Sequence, residues 1–340
     1  MSDPQKQKAE RLWSPLFIFI IIMTLCSFMV GQGLNSGTSV YLDHMGQGAT
    51  LAGVLAAVFS ASAAVARIAC GPVIDNVGRV VVMLGGALFL LVGTILPALV
   101  SNTAVFAVCR VLQGIGFSAA TTASATAASD VLPLSRLGEG IGYYGLGQAL
   151  AMSIGPALAL FLVNTDPAEN LYLGMSAMAA LAVLFTLLCR YEKNLSRLPE
   201  TSSYRQRIER GSGADDAAGG EPAESAEPAK PAEPAAPAKK EGFLKSFFEP
   251  RAVPGMLPML ALSPAFGFGI FFMGLYGTSL GYANAGLFYT VSAFAMIAVR
   301  LVSKAFMDRV APIKIMTATV LCGLLGFAMV FLGGHSELLF

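Results

Sequence analysis

Long apolar runs recur along the chain and alternate with short polar turns. Nine of these runs are long enough to cross a bilayer as a helix, which takes about 20 apolar residues. Because lipid offers no hydrogen-bond partner to an open backbone, each run must be helical. The predicted spans are residues 16–41, 50–71, 80–100, 103–127, 139–163, 170–190, 256–277, 284–306 and 313–334. The pattern therefore predicts an all-α membrane protein whose first partner is the lipid bilayer.

Basic residues indicate how these spans are oriented. Lys and Arg lie before span one and in the turns after even-numbered spans, as Arg79 and Arg136 do. The turns after odd-numbered spans contain no Lys or Arg and include Asp43 and Glu169. Positive residues stay on the cytoplasmic side. We therefore expect a cytoplasmic N-terminus and an external C-terminus in the plasma membrane, which is the inner membrane of a bacterium.

One polar segment interrupts this series. Residues 194–245 are polar, and 212–241 consist mainly of Ala, Pro, Glu, Gly and Lys. Such a composition cannot bury a core, so we expect a disordered cytoplasmic linker. The linker divides the chain into an N-terminal six-helix bundle at 1–193 and a partial C-terminal bundle of three helices at 246–340.

An internal repeat relates the two bundles. Ala52-Gly53 matches Ala285-Gly286 at an offset of 233 residues, and the Tyr41 region matches the Tyr276 region with a slip of two residues. The offset of 233 also relates Arg67 and Asp75 to Arg300 and Asp308. Two parallel repeats separated by a long cytoplasmic loop are typical of a transporter built from two similar halves.

The turn between spans two and three carries the most specific motif. Its sequence is Gly-Pro-Val-Ile-Asp-Asn-Val-Gly-Arg, from Gly71 to Arg79. The glycines allow a tight turn, and Asp75 and Arg79 can pair with each other or cap helix ends at the membrane surface. The turn resembles the loop signature of the major facilitator superfamily, G-x-L-x-D-R-x-G-R, although Val73 and Asn76 depart from it.

This resemblance implies a role for the turn and a fold for the chain. In that family the loop holds the two halves together in the outward-open state. The residues that would form this conformational-switch loop are Gly71, Asp75, Gly78 and Arg79, with Asp308 and Arg309 as a degenerate second copy. The implied fold is that of a major facilitator transporter, with a complete N-terminal bundle and an incomplete C-terminal one.

Span four contains an arginine inside the predicted membrane core. Arg110 and Gln113 lie one helical turn apart in a stretch that resembles the family pattern R-x-x-Q-G-x-G. An arginine in the bilayer core costs about 2.5–3.5 kcal/mol on insertion scales, so it usually faces a cavity or a partner. The alternative is that Arg110 extends to the outer membrane interface. Gln32 and Asn35, on one polar face of span one, complete the set of candidate cavity and coupling residues.

Span five partly resembles the antiporter motif of the family's drug–proton exchangers, G-x8-G-x3-G-P-x2-G. Ala151 and Ala159 replace two of its glycines. Small residues let helices pack closely and a proline loosens the helix, although ordinary helix packing uses the same residue types. The candidate motif residues are Gly142, Gly147, Gly155 and Pro156.

The resemblance implies a secondary active transporter that moves a small-molecule substrate by alternating access. Proton-coupled efflux of amphipathic compounds is the first hypothesis, and uptake of a sugar or an organic acid is an alternative. Proton coupling commonly uses a carboxylate inside a span, but the nearest candidates, Asp43 and Glu139, lie at the ends of predicted spans. The third hypothesis is a membrane protein or subunit that does not transport.

Composition narrows the remaining classes. Hydrophobic residues make up 55% of the chain, charged residues make up 13%, and the net charge is +1, so we expect no nucleic-acid partner. The five cysteines lie far apart, without zinc-site or disulfide spacing. The sequence shows no phosphate-binding loop and no Ser/His/Asp arrangement. We therefore expect no enzyme activity, no cofactor and no metal.

The second half has three predicted spans where the resemblance implies six. In the family, span ten lines the cavity and span eleven meets the switch loop. We therefore expect either a truncated product or a chain that needs a complementing chain, and no transport by these 340 residues alone. The sequence leaves the oligomeric state open.

Overall fold

Helices make up the regular structure of this chain. The structure, a computed structural model, describes residues 12–100, 102–192, 253–281, 286–307 and 312–332, together with residues 198, 205 and 208. Every regular element within these residues is helical. The prediction of an all-α membrane fold is confirmed.

The first half is a bundle of six helices, all long and apolar enough to cross a membrane. Their bounds are α1 Pro15–His44, α2 Gly48–Val77, α3 Arg79–Leu99, α4 Thr103–Val131, α5 Leu137–Val163 and α6 Asn170–Leu188. Each helix overlaps one predicted span. The prediction ended span four at residue 127, whereas α4 continues through Asp130 to Val131, because polar residues near a helix end lower the hydropathy on which the prediction relied.

The second half departs from the predicted pattern at span seven. Two helices, α7 Val253–Phe271 and α8 Met273–Ser279, replace the single predicted helix and meet at Phe272. Gly269 and Gly274 flank this break, and glycine is a poor helix former. The helix is therefore interrupted within the predicted span.

Two further helices complete the described part, α9 Leu287–Met307 and α10 Pro312–Leu332. The last of these, like the six helices of the first half, is long and apolar enough to cross a membrane. The other two predicted spans of this half contain shorter apolar stretches, Leu262–Phe271 and Leu287–Val299. Among the described residues, seven of the nine predicted spans are therefore matched by a helix of membrane-spanning length.

Most of the predicted linker 194–245 lies outside the described residues. Leu198 is an exception, because its side chain is buried in a hydrophobic cluster of the first half. Its carbonyl accepts a hydrogen bond from the Arg205 guanidinium at 3.4 Å. The domain boundaries stay a prediction, but the chain shortly after α6 includes a residue that packs on the first bundle.

The two ends of the first bundle differ in where the arginines of its turns lie. Arg79, Arg136 and Arg190 lie at the end where α1 begins, which we call the basic end. Asp43 and Glu169 lie at the opposite end, which we call the acidic end. One hydrophobic cluster lies toward each end of the first half, and both include residues of α1. Helix α1 is also the most buried of the six helices of the first half, so the other five pack around it.

Helices α1 and α5 approach each other so closely that their backbones touch. A Cβ atom at Gly155 would lie 2.6 Å from the carbonyl oxygen of Met29. A Cβ atom at Gly33 would lie 2.8 Å from the carbonyl oxygen of Gly155. We call these three residues the α1–α5 contact. Only glycine fits where Gly33 and Gly155 lie, because any side chain there would have to displace backbone atoms.

The internal repeat is visible in how the helices are arranged. In the first half, α4 packs between α2 and α3. Gly114 contacts Phe59 of α2, and Gly116 contacts Gly86 and Leu90 of α3. In the second half, a groove of about 450 Å³ lies between α7, α9 and α10, and Met152 and Ser153 of α5 also line it. Its lining includes Ser292, Met296, Thr319, Gly323 and Gly326, the residues 233 positions after Phe59, Ala63, Gly86, Leu90 and Gly93. The two halves therefore present equivalent surfaces in the same register.

The α1–α5 contact predicts a difference between two glycines of α5. Gly155→Ala should destabilise the protein by about 2 kcal/mol, because the added methyl group meets backbone that cannot move aside. For a bundle of this size the melting temperature should fall by about 4–8 °C. Unfolding in detergent can be followed with a thiol-reactive dye, since Cys26, Cys70, Cys109 and Cys189 are buried.

The matched control for this measurement is Gly142→Ala. A Cβ atom at Gly142 would meet nothing within 4 Å, so the same substitution should leave the melting temperature unchanged or raise it. If the Gly155 variant melts at or above the temperature of the Gly142 variant, the two helices are not in backbone contact.

Candidate functional site

A group of charged and polar side chains lies at the basic end of the first half. Arg79 begins α3, and its Nε atom lies 3.0 Å from Oδ2 of Asp130, near the end of α4. Both residues are 6% exposed. The Tyr191 hydroxyl donates to the same Asp130 oxygen at 3.4 Å. The predicted partner, Asp75, lies 3.6 Å from Arg79 with its side chain 73% exposed. Arg79 therefore has its closer and more shielded partner in Asp130.

Glu192 joins this group from the end of α6. Its carboxylate accepts hydrogen bonds from the backbone N–H groups of Arg79 at 2.6 Å and Val80 at 3.2 Å. An anion at a helix N-terminus is stabilised by the unpaired N–H groups and by the helix dipole. Glu192 therefore caps α3. We call Asp75, Arg79, Asp130, Tyr191 and Glu192 the basic-end cluster.

The two glycines of the predicted switch loop differ in what the structure requires of them. Gly78 has φ of +105°, and a Cβ atom there would lie 3.0 Å from the Glu192 carboxylate. Glycine is favoured at this position both by its backbone conformation and by the space that the cap needs. A Cβ atom at Gly71 would meet nothing within 4 Å, so nothing in the described structure explains glycine there.

The sequence prediction missed three members of the basic-end cluster. Asp130 fell between predicted spans because span four was ended too early, and Tyr191 and Glu192 fell just after predicted span six, which ended at residue 190. A signal was present in the sequence, since each carboxylate follows an apolar run at the end of the bundle that carries the switch loop. Their contact with Arg79 is a long-range feature that this signal did not specify.

Arg110 lies inside the first half and points toward α1. Its guanidinium donates to the carbonyl oxygen of Leu34 at 2.6 Å, to Oδ1 of Asn35 at 3.4 Å and to Oε1 of Gln113 at 3.2 Å. It also lies 5.8 Å from the ring centre of Phe59 on α2. Arg110 is 3% exposed. The guanidinium therefore contacts groups inside the bundle and does not extend to the outer interface.

The charge of Arg110 is balanced by dipoles within the part of the chain that the structure describes. No described carboxylate lies within 4.0 Å of its guanidinium. Gln113 extends the network, because its Nε2 group donates to the carbonyl oxygen of Gly93 at 2.7 Å. Three helices, α1, α3 and α4, are therefore joined through two side chains of α4.

The fourth candidate of this set, Gln32, is not part of the Arg110 network. Gln32 is 9% exposed, and its Oε1 atom accepts no hydrogen bond from any described residue. It lies three residues before Asn35 on the same face of α1. The structure therefore brings together Arg110, Gln113 and Asn35, and leaves Gln32 beside them with an unused acceptor.

The polar face of α1 also reaches the second half. Ser36 donates to the hydroxyl of Tyr289 at 3.3 Å, and Ser39 donates to the carbonyl oxygen of Phe271 at 3.0 Å. Tyr289 in turn donates to the carbonyl oxygen of Gly269 at 3.1 Å. These bonds lie in the part of α1 nearest the acidic end. Carbonyl groups freed at the break between α7 and α8 thus receive hydroxyl donors.

The span-five motif residues have unequal environments. Gly155 forms the α1–α5 contact, and Pro156 follows it inside the helix. A Cβ atom at Gly147 would lie at an ordinary distance of 3.5 Å from Ile21, and one at Gly142 would meet nothing. Close packing therefore accounts for one glycine of the motif. The second-copy loop, Asp308 and Arg309, lies outside the described residues.

These features define the class of protein. Apolar helices of membrane-spanning length, with ionic and polar networks inside the bundle, make this an integral membrane protein. The family model described as Major Facilitator Superfamily matches residues 20–340, and the chain belongs to that family.

Relatives and solved structures agree with this assignment. The chain is 25% identical over 286 residues to the staphylopine export protein of Staphylococcus aureus, covering 84% of this chain and 64% of that protein. Its fold is similar to those of a D-xylose-proton symporter, with a TM-score of 0.51 and 14% identity, and of the peptide transporter POT, with a TM-score of 0.57 and 15% identity. The alignments cover 85% and 94% of this chain and 67% and 74% of those chains. The likeness to the solved structures shows the fold.

The buried pair of the basic-end cluster predicts a large effect of one neutral substitution. Asp130→Asn should destabilise the protein by about 3 kcal/mol, because it leaves the Arg79 charge buried beside a neutral amide. The expected fall in melting temperature in detergent is about 6–12 °C.

Glu139→Gln provides the control, since it removes a carboxylate from an exposed pair. Arg136 lies 2.8 Å from Glu139, with side chains 38% and 45% exposed, and such pairs contribute about 0–1 kcal/mol. Equal effects of the two substitutions would show that Asp130 is not shielded from water.

Proposed function

We propose that these residues form most of a secondary active transporter that moves a small molecule by alternating access. The observation that carries the proposal is where the two halves meet. Ser36 and Ser39 bind Tyr289 and Phe271 in the part of the bundle nearest the acidic end. Leu160 contacts Gly274 at the same level. Halves joined by few polar contacts at one end can exchange them for contacts at the other end.

We propose that the basic end faces the cytoplasm, in the plasma membrane of a bacterium. Arg79, Arg136 and Arg190 lie at this end, and Asp43 and Glu169 lie at the other, in the arrangement that positive residues adopt in membranes. With this orientation the halves touch on the external side. The arrangement is then that of a transporter closed to the outside.

The basic-end cluster suits the role of conformational switch in this scheme. Asp130 and Glu192 hold Arg79 and the start of α3 in place. Asp75 is left exposed in the last turn of α2, which continues through most of the predicted switch loop to Val77. An exposed carboxylate held in a fixed position can bind the N-terminus of a helix of the second half when the cytoplasmic side closes. Asp75 would then be the moving contact, and Arg79 with Asp130 the fixed support.

Export of amphipathic compounds is the direction that we favour. The partial antiporter motif of α5 and the likeness to a staphylopine exporter support it. The groove between α7, α9 and α10 is lined mainly by apolar residues, as suits lipophilic ligands. For proton coupling, Asp130 is the best-shielded carboxylate of those considered, since Asp43 and Glu139 are both exposed.

Two alternatives remain from other classes of activity. Uptake of a sugar is suggested by the fold shared with a D-xylose-proton symporter. A protein that does not transport would keep the same packing between the halves but would never exchange it. The two experiments that follow separate these hypotheses.

The first experiment tests whether the contact between the halves opens. Leu160→Cys and Gly274→Cys place a cysteine pair across the halves, in a Cys322→Ser background where the other four cysteines are buried. A short bifunctional maleimide should link this pair efficiently at rest. With ethidium and an imposed proton gradient, the yield should fall by about twofold or more as the population shifts.

A second cysteine pair serves as the control for this experiment. Leu162→Cys and Gly174→Cys join α5 to α6 within the first half, and their linkage should not change. If the yield across the halves follows the control pair under every condition, the halves do not exchange and alternating access is rejected.

The second experiment measures flux in proteoliposomes. Ethidium and D-xylose are offered separately under an imposed proton gradient, because the first tests export of an amphipathic cation and the second tests sugar uptake. Gradient-driven movement of ethidium supports export, and movement of D-xylose supports uptake. Absence of flux for both, with a fixed crosslink yield across the halves, favours the protein that does not transport.

A further inference from the structure

A groove that the proposed transport cycle does not use lies between α3 and α6, at the basic end of the first half. Its volume is about 250 Å³. The lining is apolar apart from one threonine and two charged residues, and consists of Val80, Val81, Leu84, Thr186, Leu187, Arg190 and Glu192. Because α3 begins and α6 ends at the basic end, the charged residues lie at the end of the groove nearest the membrane surface.

The groove opens toward the lipid. Val81 and Leu187, one from each wall, are 54% and 40% exposed. Leu88 and Val92 of α3 and Leu184 of α6, further along the same two helices, are exposed as well. Large apolar side chains exposed along helices of membrane-spanning length mark a surface that meets the membrane. An acyl chain can therefore enter the groove from the side.

Arg190 lies at the depth of the lipid headgroups. Helix α6 has 19 residues and is therefore about 28 Å long, close to the hydrocarbon thickness of about 30 Å. Arg190 follows the last residue of this helix by two positions. Its guanidinium thus lies where the hydrocarbon ends, while Leu187 and Leu84 line the deeper part of the groove.

The Arg190 guanidinium has most of its donors available. The side chain is exposed, and its Nε group donates to the carbonyl oxygen of Leu187 at 3.2 Å. Within the described part of the chain, no carboxylate lies within 4.0 Å of it. A guanidinium carries five N–H donors, so the donors of its two terminal nitrogens remain for a ligand.

The second charged residue of the groove, Glu192, is already engaged. Its two carboxylate oxygens accept the backbone N–H groups of Arg79 and Val80, at 2.6 Å and 3.2 Å. The N-terminus of α3 therefore offsets its negative charge. The groove thus combines apolar walls with one cation at the membrane surface.

We infer that the groove between α3 and α6 binds an anionic phospholipid, with an acyl chain against Leu84 and Leu187 and the headgroup phosphate on Arg190. Arginine binds phosphate oxygens through two parallel N–H groups, and a basic residue near the surface attracts anionic lipids. A lipid fits better than a free phosphate because its acyl chain covers the apolar walls. The inference requires insertion in a membrane and does not rest on transport.

The test uses tryptophan fluorescence, because the chain has a single tryptophan, Trp13. In a Trp13→Phe background, Leu187→Trp places the reporter in the groove. Leu188→Trp is the matched control, since the neighbouring Leu188 is similarly exposed, at 46%, but is not part of the groove lining. The full chain is reconstituted in equal parts of phosphatidylglycerol and phosphatidylcholine, with bromine on the acyl chains of one lipid or the other. Bromine quenches tryptophan at contact, so the two quenching values report which lipid lies beside the reporter.

At Leu187→Trp, phosphatidylglycerol should be favoured over phosphatidylcholine by about fivefold, the effect of one arginine near the membrane surface. At Leu188→Trp the preference should stay below about twofold, because that reporter contacts lipid outside the groove. A preference at Leu187→Trp no greater than at Leu188→Trp overturns the inference.

Substitutions of Arg190 identify the group that reads the headgroup. Arg190→Gln should lower the preference at Leu187→Trp to about onefold, and Arg190→Lys, which keeps the charge, should retain part of it. Arg136→Gln should leave it unchanged, since Arg136 is an exposed cation of the same end that pairs with Glu139. A preference that persists in Arg190→Gln overturns the inference.

A second measurement needs no tryptophan in the groove. The unsubstituted chain is purified in a non-ionic detergent, and its melting temperature is measured with added lipid. Phosphatidylglycerol should raise it by about 3–6 °C, and the Arg190→Gln variant should lose this rise. Phosphatidylcholine and inorganic phosphate should each give less than about 2 °C. An equal rise with either of these overturns the inference, because the first lacks the net charge and the second lacks the acyl chain.

Discussion

The ion pair between Arg79 and Asp130 fixes the basic end of the first half, and much of the structure depends on it. Charges shielded from water attract each other strongly, but each loses its hydration and must find other partners. Tyr191 donates a hydrogen bond to Asp130, and Glu192 accepts one from the backbone N–H group of Arg79. The start of α3 and the ends of α4 and α6 thus meet at one point.

Arg110 shows the opposite way of holding a charge inside the same bundle. Its described partners are a carbonyl oxygen, two side-chain amides and an aromatic ring. Dipoles stabilise a cation less strongly than a carboxylate does. They also depend on the helices that carry them, because they keep their orientation only while those helices stay in place. Arg79 therefore joins helix ends by an ion pair, whereas Arg110 joins the interiors of helices by hydrogen bonds to uncharged groups.

Local sequence predicted the helices well and the contacts between them poorly. Apolar runs predicted all six spans of the first half, because lipid leaves no alternative to a helix. The break at Phe272 was missed, since hydropathy continues unchanged through Gly269 and Gly274 and cannot show where hydrogen bonding stops. The Arg79–Asp130 pair was missed because it depends on how α3 and α4 cross.

The candidate site was predicted in part for the same reason. Periodicity placed Arg110 and Gln113 on one face of α4, but it could not say which neighbour that face meets. The motif turn led to Arg79 and Gly78, while Glu192, whose carboxylate occupies the space beside Gly78, is more than a hundred residues away along the chain. The repeat offset predicted contacts better than the local motifs did. It aligned the lining of the second-half groove with the residues of α2 and α3 on which α4 packs.

The backbone contact between α1 and α5 has a mechanical consequence. The same two helices carry the surfaces on which the second half rests, α1 through Ser36 and Ser39 and α5 through Leu160 and the cavity it shares with α9. Since Gly33 and Gly155 leave no room between these helices, the two surfaces cannot slide independently. Any turning of the second half on the first would therefore have to move against both surfaces together, as if they were one rigid part.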